Sequence, residues 1–263
     1  MIITMLNLLF LLMANQDPGQ DVNSYIRDMT IRRYDVVMFH QDIEHENVDR
    51  LERLLKDQDI LNLQSAGGDF TASARMSDLV RGRHARLTTT GECASGCAIV
   101  WVTARERIVD GFAAVTFHGN PISSAEWVAA NPDAVTPEEA SAVNAAASTM
   151  TRLLDEAGVA SWLFRCANRL QNQTHTILSH ELSLPRRSRI RTSEEYQVVW
   201  FPREVLESAG VTQLDRYDRP NERQMRAIET RFGTEATPRK VYWAQDGDCD
   251  LELGRATRQQ GAR

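Results

Sequence analysis

The sequence predicts an α/β fold in which a mostly parallel sheet is flanked by helices. Three observations carry this. Short β-branched or apolar runs alternate with helical stretches between residues 34 and 119. The connections between them are short, which favours parallel strands joined by right-handed crossovers. The chain has 263 residues, 42% of them apolar and 25% charged, an ordinary make-up for a globular protein of one domain with appendages.

The elements follow in order. "RRYDVVMFHQDI" holds a β-branched strand at 35–39, and "ENVDRLERLLKD" is an amphipathic helix with Val48, Leu51, Leu54 and Leu55 on one face. "DILNLQ" at 59–64 is a compact strand that runs into "SAGGD". "TASARMSDLVRGR" reads as a helix with Thr71 as its N-cap. "ARLTTTGE" is a Thr-rich strand, "CASGCAIVWVTAR" a short helix, and "ERIVDGFAAVTFHG" a turn and one strand ending at His118.

A long helix then begins at Thr136 with a capping box to Glu139 and Pro137 at its first position, and it stops at Gly158. "ASWLFRCANRLQ" is a helix, "QVVWF" a strand and "PREVLESAG" a helix. From about Arg216 the composition turns charged and apolar-poor, with a hairpin expected in "KVYWAQDGDCDLEL". The expected organisation is a leader over 1–20, a core domain over 30–215 and a charged appendage over 216–263.

A net charge of −6 argues against a nucleic-acid partner, which calls for a basic face. The apolar stretch Ile2–Met13 is shorter than the roughly 20 residues that span a bilayer. It fits the core of a signal peptide or a membrane tether, with Ala14 near a cleavage point, although no basic residue precedes Arg27. Export to the periplasm or a membrane tether is therefore expected, with a cytoplasmic location as the alternative.

Four cysteines suit disulfides in an oxidising compartment. Cys93 and Cys97 are read as small packing residues in preference to a bridge, and a Cys166–Cys249 pair is left open. No metal or nucleotide motif is present, so neither a metal nor a cofactor is expected. The run "RRSRIR" at 186–191 reads as a solvated loop, and His40, His45, His84, His175 and His180 as structural or solvated side chains.

Chemistry is concentrated in three segments: "QSAGGDF" at 64–70, "GECASGCAIVW" at 91–101 and "VTFHG" at 115–119. A serine hydroxyl is a weak nucleophile at neutral pH. It needs a base within hydrogen-bond reach and donors for the developing oxyanion. Ser95 lies where a strand turns into a helix, which exposes its side chain beside free helical N–H groups. Gly68 and Gly96 allow backbone amides to come close to a substrate. His118 ends the next strand, so a parallel sheet delivers it to the same edge. Each feature alone has a plainer reading: Ser95 as an N-cap, the Gly-Gly as a tight turn, His118 as a structural imidazole.

Taken together, "LNLQSAGGDFTASARMSDLVRGRHARLTTTGECASGCAIVWVTARERIVDGFAAVTFHG" resembles the Clp protease proteolytic subunit and related serine hydrolases, and within them a group of exported bacterial Clp-like proteins. "FPREVLESAGV" resembles a later segment of that family more loosely. The resemblance implies the Clp/crotonase-like superhelix of ββα units, with Ser95 as nucleophile, His118 as base, Gly68 and Gly96 as oxyanion donors, a peptide or acyl substrate, and a homo-oligomer. It also implies a triad aspartate near Val198, a place where this chain has none; Glu194 and Glu195 are close by but out of position. Lys56 and Lys240, the two lysines of the chain, do not suit a Ser-Lys mechanism. A non-catalytic scaffold on the same fold is the alternative reading, and acyl-CoA chemistry a third.

Overall fold

The computed structural model describes residues 29–109, 113–171, 198–215, 217–232, 241–250 and 252–254. The leader, the 186–191 basic run, His175, His180, Glu194 and Glu195 lie outside them.

The chain enters through an antiparallel hairpin, β1 (Met29–Arg33) and β2 (Val36–His40). β1 was not expected from the sequence. It is an edge strand that ends in two arginines, and its pairing comes from β2 rather than from an apolar run of its own. Next come α1 (His45–Leu54), β3 (Ile60–Gln64), α2 (Phe70–Gly82) and β4 (Arg86–Thr89). After them lie β5 (Glu92–Ala94), α3 (Gly96–Thr103), β6 (Glu106–Val109) and β7 (Ala114–Thr116). The segment read as one strand ending at His118 is thus two strands.

The helices α4 (Pro121–Ala130), α5 (Pro137–Ala157) and α6 (Trp162–Leu170) follow. The later part holds β8 (Val198–Trp200), α7 (Arg203–Ser208), β9 (Leu214–Asp215), α8 (Glu222–Phe232) and β10 (Val241–Trp243).

The main sheet has the order β1-β2-β3-β4-β6-β9, and every pairing after the first is parallel. β5 and β7 form a second, smaller parallel sheet. Bridges tie Ser65 to Cys93 and Phe117 to Val199 beside it. The chain therefore winds as repeated units: a strand in the large sheet, a short strand in the small one, then a helix. β4-β5-α3 is one such unit and β6-β7-α4 the next. This is the predicted α/β class, a mostly parallel sheet flanked by helices.

Burial explains the order of the elements. Val48 and Leu51 of α1, Leu61 and Leu63 of β3 and Leu87 of β4 are fully enclosed. Each such side chain contributes about 1.5–3 kcal/mol relative to exposure. α3 is buried along its whole length, so it carries no polar face and needs none. α2 starts two residues earlier than its sequence signal: Asp69, not Thr71, is the N-cap and accepts from the Ala72 N–H at 2.7 Å. α5 has the predicted capping box between Thr136 and Glu139 and ends on Gly158 at φ 71°.

The segment expected to form a terminal hairpin does not do so. β10 pairs in parallel with β8 instead, and Cys249 bonds to Cys166 of α6. Trp200 stacks on Tyr217, with Trp101 and Trp243 at the sides of this aromatic group.

Candidate active site

Ser95 occupies a sharp turn between β5 and α3, with φ 56° and ψ −123°. A non-glycine residue with that backbone costs on the order of 1–3 kcal/mol, and such outliers collect at functional sites. Its carbonyl accepts from Ala98 at 2.9 Å, so the first helical turn forms. Its hydroxyl caps no helix N–H, which removes the plain reading of Ser95 as an N-cap side chain. A strained strand-to-helix turn of this kind projects a nucleophilic serine above its sheet in α/β-hydrolases.

Gly67 adopts φ 108° and lies directly against Ser95: a Cβ added there would stand 2.5 Å from the Ser95 Cβ and 3.0 Å from its Oγ. The Ser65 hydroxyl holds this bend by accepting from the Gly67 N–H and donating to the Gly67 carbonyl, both at 3.1 Å. Ser65 is itself fixed to the small sheet: it donates to Glu92 at 2.8 Å and accepts from Ala94 at 3.0 Å.

Gly68 is locked by Ile43. The Ile43 N–H donates to the Gly67 carbonyl at 2.7 Å, and the Asp69 N–H donates to the Ile43 carbonyl at 2.9 Å. Backbone groups of successive strand residues point to opposite sides. The Gly68 N–H therefore points away from Ile43, on the side of α3. Its nitrogen lies 3.8 Å from where a Gly96 Cβ would stand. Gly96 is the first residue of α3, where an N–H has no partner within the helix. It must be small because Ser73 of α2 crosses there; a Cβ would come within 2.1 Å of the Ser73 Oγ.

His118 follows Phe117, whose N–H and carbonyl both bond to Val199 at 2.8 and 2.7 Å. The Val199 pairing thus sets where the imidazole begins. Gly68, Ser95, Gly96 and His118 all line one narrow cleft. The structure brings the four sequence-predicted residues together there. Phe70, Ile99, Phe117 and Phe164 give the cleft an apolar wall, and Asn120 lines it as well. Asn120 is the N-cap of α4 and donates to the Phe164 carbonyl at 3.0 Å, fixing α4 against α6.

Two features of this site escape a sequence reading. Phe164 comes from α6, and no local pattern reports its approach. Cys93 and Cys97, read as packing residues, are instead bonded to each other, Cα to Cα 5.1 Å, across Ser95. The C-x3-C spacing is the available signal; the turn between the two brings them within reach. Among the described residues no cluster of metal-ligating side chains occurs. The resemblance calls for an aspartate near Val198, which is buried in β8 beside Val241.

No family model matches the sequence, and no curated protein matches it. Among solved structures the chain is similar to a mutant of ClpP1 from Listeria monocytogenes: 15% identical, covering 72% of this chain and 94% of that one, with a TM-score of 0.38. A likeness that loose carries no argument about activity.

Proposed function

We propose that the protein is a serine hydrolase, peptidase-like in its choice of a peptide or acyl carbonyl. Ser95 Oγ attacks the carbonyl carbon, His118 takes the hydroxyl proton and returns it to the leaving group, and the Gly68 and Gly96 N–H groups receive the oxyanion. The observation that carries this reading is the Ser95 backbone, φ 56° and ψ −123°, in a cleft shared with His118 and both glycines. The hydroxyl is held out by a strained turn that serves no helix cap.

The apolar wall favours a substrate with an apolar group next to the scissile carbonyl. Two disulfides and the apolar leader support an exported, oxidising location. Assembly into a homo-oligomer rests on the family resemblance alone.

The test is labelling of the folded protein with a fluorophosphonate probe. Wild-type protein is expected to label, Ser95→Ala to be silent, and His118→Asn to react at least a hundredfold more slowly. Equal labelling of wild type and Ser95→Ala removes the proposal. One observation favours a second reading. Val198 stands near where the resemblance calls for a triad carboxylate, and loss of that group slows a triad by about four orders of magnitude. A non-catalytic scaffold that binds acyl or peptide ligands in the same cleft then remains, and wild-type protein that binds ligand without labelling would identify it.

A further inference from the structure

We propose that the Cys93–Cys97 disulfide is the positioning device of the Ser95 turn, so that the chemistry at Ser95 runs only while this bond is oxidised; the proposal rests on the reading of Ser95 as nucleophile. The two sulfurs come from residues two before and two after the serine. Cys93 belongs to β5, paired with Val115 and bridged to Ser65. Cys97 lies in the first turn of α3. The bond therefore ties a strand fixed in the small sheet to the start of a buried helix, across the one residue between them with a left-handed φ.

The length of the closed loop separates this disulfide from the other. Stabilisation through the unfolded chain grows with loop length. Cys93 and Cys97 are 4 residues apart, whereas Cys166 and Cys249 are 83 apart. The short loop restrains little of the unfolded chain, so its effect is local. The local restraint falls on a strained residue, since Ser95 left to itself gains by relaxing toward an extended or helical φ. Gly67 lies close against Ser95 but is not bonded to it covalently, so the disulfide is the covalent tie that spans the turn. Both cysteines are fully buried, which keeps the bond closed until the turn itself opens to a reductant.

Reduction is a two-electron step. A dithiol's thiolate attacks one sulfur and breaks the S–S bond. Its second thiol then closes to a cyclic disulfide, leaving Cys93 and Cys97 as thiols. Ser95 is then free to turn its hydroxyl away from the Gly68 and Gly96 amides.

The experiment compares oxidised wild type, wild type treated with dithiothreitol under native conditions, and Cys93→Ala/Cys97→Ala, which keeps the Cys166–Cys249 bond. The readouts are the fluorophosphonate labelling rate, kcat and KM for a p-nitrophenyl ester, and amide hydrogen exchange over residues 95–98. Alkylation and mass determination count the thiols. Loss of the bond is expected to lower kcat and labelling at least tenfold, leave KM within twofold, and speed exchange at 95–98 at least tenfold. Oxidised glutathione is expected to restore reduced wild type and to leave the double variant unchanged. Unchanged exchange and labelling in a species with Cys93 and Cys97 proven reduced or replaced overturns the proposal. Faster exchange in a protein that never labels Ser95 would leave the lock standing as a structural device and defeat the hydrolase reading instead.

Discussion

Gly67 and Gly96 are held to glycine by different neighbours, and their substitutions are expected to fail in different ways. Gly67→Ala places a methyl 2.5 Å from the Ser95 Cβ on a backbone at φ 108°. The clash is with the proposed nucleophile, so labelling is expected to fall more than tenfold while circular dichroism stays that of the wild type. Gly96→Ala instead meets the Ser73 Oγ at 2.1 Å. It is expected to lower stability by about 1–3 kcal/mol, as overpacking does, and Ser73→Gly in the same chain to restore part of that loss. Thermal unfolding of the single and double variants checks this. The diglycine was visible in the sequence as a turn, but which of its members touches Ser95 was not. That contact depends on the stretch after β3 meeting β5 through the Ser65–Cys93 bridge, a matter of register between the two sheets.

The elements that carry the site are anchored away from it. α3 has Ser95 at its start, and Arg107 of β6 reaches back to its end. Arg107 is buried, donates to the carbonyls of Val102 and Ala104 at the close of the helix and to Thr212 before β9, and sits 5.5 Å from the Trp101 ring. Burial pulls its pKa down to about 10, so it remains charged at neutral pH. A cation there satisfies the last carbonyls and complements the helix dipole. Arg107→Met is expected to cost about 3 kcal/mol, because two buried carbonyls and that of Thr212 lose a charged donor. Denaturant unfolding measures it, and no change would show that the carbonyls find other partners. At α5 the capping box was legible from Thr136 and Glu139, because both partners lie within one turn of each other. β1 was not legible, because its partner and its burial are both supplied by β2.

At the scale of the molecule, the C-terminal stretch is fastened to the core. Cys249 is bonded to Cys166, Glu252 pairs with Arg169, and β10 lies along β8. Because the Cys166–Cys249 bond closes a long loop, Cys166→Ala/Cys249→Ala is expected to lose about 2–5 kcal/mol, read as a lower unfolding midpoint. An ion pair ties the opposite edge of the molecule, where Arg32 of β1 grips buried Asp59 ahead of β3. Burial alone would raise the Asp59 pKa. The Arg32 hydrogen bond, the Lys56 N–H and the charges of Arg32 and Lys56 outweigh it and hold the carboxyl below its ordinary value. A carboxyl depressed in the fold contributes stability above its unfolded pKa of about 3.9 and loses it as pH falls through the lower folded value. The unfolding midpoint is therefore expected to drop as pH is taken below about 4, and Asp59→Asn to flatten that drop while lowering stability at pH 7.

The alternation of strand and helix, the capping box and the three segments around Ser95, Gly68 and His118 were all readable in the sequence. Each depends on neighbours a few residues apart, where spacing alone fixes geometry. The tertiary structure decided what pairs across distance: Cys93 with Cys97 over a bent turn, Phe164 against the cleft, β10 on β8, and Gly67 rather than Gly68 against the serine. These are consequences of register and packing between elements, and a one-dimensional pattern does not record how far one strand is slid along another.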